Sequence, residues 1–285
     1  MIKLTFSGHE SFNCKDLWLK KGYEYINDGN DFKDNDAVVG LGVGKNMVSS
    51  IRYWLRAFDI VNDNIEINNW AHNFFADNGY DPFIENIGTL WILHYKLLTT
   101  RLASLYQITF SDFQKEYREF IPDQLLSFIK RSYPKEQLLY PFNENTVKRD
   151  INVLLKNYVK PVEEGRSIED FSSLLIDLNL ISESHKEHRR FKFNYNNKSN
   201  LAPEIALFII LDMFDEMKII DFHSLSNLFF SFCMTSDDLI DILEDIKEKY
   251  PDMVYSEDSG IRQIQLRSKI CKWQILHDYY NSIKI

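Results

Sequence analysis

The chain has 285 residues, 45% of them apolar and 14% aromatic, enough to fill the cores of two or three compact units and too much for a disordered protein. A formal net charge of −9 excludes a protein coated in nucleic acid over its whole surface and leaves room only for a local contact. Ten glycines and seven prolines suit a helix-rich fold with short connections. No apolar run is long enough to span a bilayer, and "MIKLTFSGHESF" lacks the layout of a signal peptide, so a cytoplasmic chain is expected. Cys14, Cys233 and Cys271 are widely spaced and unpaired in pattern, which argues against a disulfide framework or a zinc ribbon.

In chain order, the first unusual string is "FSGHESF". Ser7, Gly8, His9 and Glu10 sit together in a turn, and a His-Glu pair is capable of acid–base work. Neighbours on a chain seldom converge on one substrate atom, so a structural loop docked onto the first unit is the preferred expectation.

The string "LGVGKNMVSSIRYWLRAF", Leu41 to Phe58, has the look of a phosphate-binding loop. That loop needs glycine at position 39 and a hydroxyl at 46, where the chain has Val39 and Asn46, so both the first tight turn and the metal ligand are missing. At 100° per residue, Met47, Ile51, Trp54 and Phe58 fall on one helical face, widened by Val48 and Leu55. Opposite lies a stripe of donors, Lys45, Ser49, Arg52 and Arg56, with Asn46 and Tyr53 beside it and no acid among them. "DAVVG" precedes it as a short helix end, and "DIVNDNIEIN" follows as strand, turn and strand. Helix, turn, basic helix and hairpin is the order of a winged helix-turn-helix, whose second helix enters the major groove. The plainer reading is a solvated helix face.

Residues 84–106 form a strongly apolar helical stretch in which His94 is expected to be a satisfied core histidine. "YPKEQLLYPFN", Tyr133 to Asn143, carries two prolines and reads as a linker. One hundred residues after the first pattern, "NENTVKRDINVLLKNYVK" repeats it. Val147, Ile151, Leu154, Leu155 and Tyr158 are apolar, Arg149, Asn152 and Lys156 lie opposite, and Asn145 is the expected N-cap. "TVKRDI" resembles the recognition helix of many bacterial helix-turn-helix regulators. "EHRRFKFNY" then crowds Arg189, Arg190 and Lys192 beside aromatics, as a basic wing or strand or as a solvated loop. A third candidate unit begins near Ser224. Its helix is capped by Thr235 or Ser236 and turns Leu239, Ile240, Leu243 and Ile246 inward, and a hairpin follows around Ser259-Gly260. Its outward face is acidic, and residues 237–258 hold nine acids against two lysines. Such a face repels phosphate and suits protein contact.

Known catalytic strings are absent. His185 and His188 have no cysteine nearby to complete a zinc site, and Asp252 with Glu257 has Ser259 where a restriction-type nuclease would carry lysine. No catalytic residue, metal site or cofactor is therefore expected.

"FSGHESF", "WLKKGY", "LGVGKNMVSSIRYW", "DPFIENIGTLWILHY" and "SGIRQIQL" together resemble a bacterial and archaeal domain-of-unknown-function family, number four-zero-zero-seven, along nearly the whole chain. Ser11 stands where that family's first string has Thr. Members sit beside a PAPS-reductase-like protein and large ATPases or helicases, in gene islands that look like phage-defence or DNA phosphorothioation systems. The resemblance implies a non-catalytic partner in such a complex.

The reading is thus a mainly α protein with tandem winged-helix-like units, a helical middle segment and short β-hairpins, divided into residues 1–133, 134–222 and 223–285. The expected role is a DNA-binding accessory subunit that positions partner enzymes on duplex DNA, with homodimerisation open. The alternative is a protein–protein adaptor of the same complex with no DNA contact.

Overall fold

The computed structural model describes residues 1–34, 36–161, 172–185, 189–195, 200–258 and 260–283. Helix α1 (Trp18–Asn27) lies ahead of α2 (Ala37–Leu41), which ends at Gly42 with φ 62°, a left-handed cap that favours glycine. The chain then enters α3 (Lys45–Ala57), which buries Val48, Ile51, Trp54 and Leu55, with Phe58 just beyond its end, as the apolar periodicity requires. The expected strand–turn–strand after α3 shrinks to one antiparallel bridge, Val61↔Ile67. The reason is local. Asn62 Oδ1 accepts from the backbone N–H groups of Asn64 and Glu66, closing a tight loop, and Asn68 becomes the cap of α4 (Asn69–Phe75) before a strand can extend.

Helix α5 (Ile87–Thr99) is buried without a break from Gly88 to Leu98, so it is a core helix and not an amphipathic one. The Asn86 side chain caps it by accepting from Gly88 N. His94 is fully buried and its Nδ1 lies 2.7 Å from the Tyr158 hydroxyl, the satisfied core histidine expected there. After α6 (Ser104–Gln107), a π-helical turn over Ile108–Phe113 and the short α7 (Gln114–Glu116), the chain follows an ordered series. This is β1 (Glu119–Phe120), α8 (Pro122–Ser132), α9 (Glu144–Tyr158), β2 (Ile181–His185) and β3 (Arg190–Phe193). The three strands make an antiparallel sheet in the order β1-β3-β2. Phe120, Phe191 and Phe193 point from it into an aromatic cluster with Phe113, which pins the register by putting every other residue in the core.

Residues 195–285 repeat the plan with α10 (Pro203–Met213), β4 (Ile219–Asp221), α11 (Phe222–Phe230), α12 (Ser236–Lys249), β5 (Met253–Asp258) and β6 (Ile261–Leu266), closed by α13 (Lys272–Ile283). Their sheet has the order β4-β6-β5, so in both cases the last strand is central. Thr235 caps α12 in a box with Asp238, and Ile242 rather than Ile240 joins Leu239, Leu243 and Ile246 inside.

The chain groups into two units, Met1–Asn194 and Tyr195–Ile285, where the sequence reading drew boundaries at 133 and 222. The stretch read as a linker lies within the first unit. Ile2 N donates to Gln137 O, Leu139 N donates to Ile2 O, and Leu138 is buried between them. Among the described residues, no helix is long and apolar enough to cross a membrane.

Candidate nucleic-acid interface

The N-terminal loop docks, as expected, but onto two helices. Ser7 N donates to Asp150 Oδ2 at 2.7 Å, and His9 Nε2 lies 3.0 Å from Asp150 Oδ1. Ser11 N donates to His9 Nδ1 at 3.2 Å, so Nδ1 is the unprotonated nitrogen and Nε2 donates to the carboxylate. On the other side, Ser50 Oγ donates to His9 O and Trp54 Nε1 donates to Phe12 O, both from α3. The His9 ring stacks on Trp54 at 6.0 Å and meets Tyr53 edge-on. Gly8 has φ +103° against the Tyr53 ring, and a Cβ there would stand 2.6 Å from Tyr53 Cδ2. His9 is buried with both ring nitrogens engaged, and so it staples the loop to α9. Farther along, Cys14 N donates to Asn157 Oδ1 and Asn157 Nδ2 donates to the Tyr106 hydroxyl, tying the same strand of chain to the end of α9.

Helix α9 is thereby anchored by Asp150 and Asn157, and its opposite face is free. Asn143, not Asn145, is the cap, its side chain accepting from Asn145 N at 2.8 Å. Lys148, Arg149, Asn152 and Lys156 are exposed along the helix. After Glu144, whose carboxyl is held below its ordinary range by the Lys130 ammonium, the helix exposes no acid. Arg189, at the foot of β3, donates to Asn152 Oδ1 at 3.0 Å. A groove of about 380 Å³ runs between this part of α9 and the β2–β3 hairpin, with Asn152, Lys156, Lys160 and Arg189 on its rim and Glu183 beside them. The structure therefore brings Asn152, Lys156 and Arg189 together, with Arg149 one turn back at a smaller polar pocket by Ser7 and Thr146. Arg190 projects from β3 with its guanidinium 3.9 Å from Glu119 on the neighbouring strand. The "RRFKF" segment forms a strand from Arg190 onward, and His188 lies outside the described residues.

Helix α3 departs further from its sequence reading. Lys45, Asn46 and Ser49 are exposed and Arg52 is half-buried. Tyr53 does not flank the stripe; it is buried beneath the N-terminal loop, and burial pushes its phenol pKa up, with Asp150 adding to the effect. The helical wheel put it at the edge of the polar face, and a wheel does not show a loop returning across that edge. Arg56 is committed to Asp63 at 2.5 Å, which holds that carboxyl below its usual range. Asp63 belongs to the loop that replaces the expected hairpin.

On α12 the acids are exposed as read: Asp237, Asp241, Asp245 and Glu248, with Glu244 half-buried and paired to Lys247. The nuclease-like acids are engaged elsewhere, Asp252 accepting from Ser268 Oγ and Glu257 pairing with Arg262; Ser259 lies outside the described residues. Sequence reasoning passed over Lys148, Lys160, Asn13 and Glu183. The lysines were visible as further bases on the polar side of the α9 pattern, whereas Asn13 and Glu183 reach the groove only through tertiary folding.

Two solved structures resemble the chain, described as "Magnesium ion-bound SspB crystal structure" and "SspB crystal structure". Each is 24% identical to it, and the alignment covers 98% of this chain and 89% of the other, with TM-scores of 0.83 and 0.82. At that identity the likeness is one of fold. No curated protein matches the chain. The family model described as "Protein of unknown function (DUF4007)" matches residues 6–280, and the chain belongs to that family.

Proposed function

We propose that the protein is a DNA-binding accessory subunit, and that α9 is the element that meets duplex DNA. The supporting observation is the exposed face of α9, which beyond Glu144 of its first turn carries Lys148, Arg149, Asn152 and Lys156 with no further acid and is joined by Arg189 from the adjacent hairpin. The order helix, β1, α8, α9, β2, β3 with β3 central is that of a winged helix, in which the second helix after the first strand enters the major groove. On this reading residues 195–285 are a second winged helix whose corresponding helix, α12, is acidic and faces a protein. An overall charge of −9 with one basic face favours local docking of a subunit over wrapping of DNA.

The surrounding machinery is that of a phage-defence or phosphorothioation-type system, with PAPS-reductase-like and ATPase or helicase partners; family membership and the SspB likeness favour it. The subunit itself carries no catalysis on this reading, since His9 is held at both nitrogens. Fluorescence anisotropy on labelled duplex DNA across a salt series tests the proposal. About five basic contacts give a slope of log affinity on log salt near −4 to −5, and Arg149→Ala/Lys156→Ala removes roughly two units. A folded protein that shows no binding at low salt refutes it and leaves the adaptor reading, for which the acidic α12 face is the supporting feature.

A further inference from the structure

The groove beside α9 is shaped for more than a phosphate backbone. Its floor is apolar, with Leu155 and Phe191 each 5% exposed and Val159 half-buried next to them. Asn13 lines the same groove at 7% exposure, and its amide is not among the fully buried polar atoms, so it is open to the groove. An amide that reaches the groove offers two donors and an acceptor to whatever fills it. Glu183, also on the lining, contributes a carboxylate that only accepts. The volume, about 380 Å³, is that of a small-molecule site and too small for a helical partner.

A flat ring with hydrogen-bonding edges, attached to an anion, satisfies all of these features. We propose that the groove holds one unpaired nucleotide of a bound DNA strand, an assignment that rests on the DNA-binding reading above. The base lies on the apolar floor beside Phe191, its edge meets Asn13 and Glu183, and its flanking phosphate meets Lys156 and Arg189. Base edges are occupied in a paired duplex, so the nucleotide must stand out of the stack, as it does in a bulge or after extrusion. The Glu183 carboxylate accepts from an exocyclic amino group and has nothing to offer a thymine carbonyl, so cytosine or adenine is favoured over thymine.

The test is anisotropy on four labelled duplexes: fully paired, and with a central single-nucleotide bulge that is cytosine, thymine or abasic. Wild-type protein should bind the cytosine bulge at least about fivefold more tightly than the abasic one, an increment typical of one buried hydrogen-bonded contact. Asn13→Leu should erase that preference while leaving affinity for the paired duplex unchanged. Glu183→Gln, at a half-exposed strand position, should fold normally and lose the choice of cytosine over thymine. Equal binding of cytosine and abasic bulges overturns the proposal, as does a preference that both variants retain. Saturable binding of free dCMP without any bulge preference assigns the groove to a free nucleotide and overturns the strand assignment. Failure to bind any duplex refutes the DNA-binding reading as well, whereas equal binding of all four refutes only this one.

Discussion

His9 and Asp150 meet at 3.0 Å across 141 residues of sequence, and both are buried. The contact joins the N-terminal loop to α9, while Ser50 and Trp54 join the same loop to α3. The polar core of the first unit is thus organised around a turn that in sequence looks like a reactive site. Its histidine and carboxylate hold each other in place, and the exposed basic residues of α9 lie on the side that this anchoring leaves free.

Removing the carboxylate should therefore cost stability. Asp150→Ala strands the His9 Nε2–H in a buried site, at roughly 1–3 kcal/mol, and takes the acceptor from the Ser7 N–H at the exposed edge of the loop. Asp150→Asn keeps one acceptor and should lose less. Urea denaturation reads both, and a midpoint for Asp150→Ala equal to wild type would show that the staple carries no load.

Gly8 provides an independent check on the same packing. Its φ of +103° disfavours any side chain, and an added Cβ would overlap the Tyr53 ring. Gly8→Ala should cost about 2 kcal/mol or more from strain and overpacking together. A thermal midpoint within a degree of wild type would mean that the loop has another way to sit on α3.

Much of the helical architecture was legible in advance because periodicity reports burial. Ile51, Leu55, Ile151 and Leu155 all face inward as the patterns of α3 and α9 require, and His94 is a core residue. What could not be read came from tertiary closure. Tyr53 lies under the loop around His9, 44 residues earlier in the sequence, and Arg56 is captured by Asp63 in a turn that forms instead of a strand. The groove takes Asn13 from the N-terminal segment, Asn152 from α9 and Glu183 from β2, so no local window contains it. The shared plan of the two units was also hidden, since strands of two or three residues such as β1 and β4 leave little alternation to detect.

The two basic helices should differ in their contribution to DNA binding. Arg56 is already paired, and withdrawing it from Asp63 offsets what a phosphate would add. Arg56→Ala should change the salt slope by well under one unit, whereas Arg149→Ala should change it by roughly one. Parallel anisotropy titrations compare them. A larger effect at Arg56 would move the interface from α9 to α3.

The buried phenols set the alkaline limit of the fold. Burial pushes the pKa of Tyr53 upward, and that of Tyr106 likewise, with Asp150 contributing to both. In the unfolded chain each ionises near the ordinary tyrosine value of about 10. Below that pH neither state has lost its proton and the stability is intact. Above it only the unfolded chain releases protons, so the native state weakens as the pH rises. Phenolate absorbance followed against pH should show the exposed tyrosines ionising first and the buried ones together with a cooperative loss of near-ultraviolet circular dichroism. Tyr53→Phe removes one of the late groups and should move that transition to higher pH. Gradual ionisation of every tyrosine, with the dichroism intact, would contradict the burial of Tyr53 beneath the His9 loop.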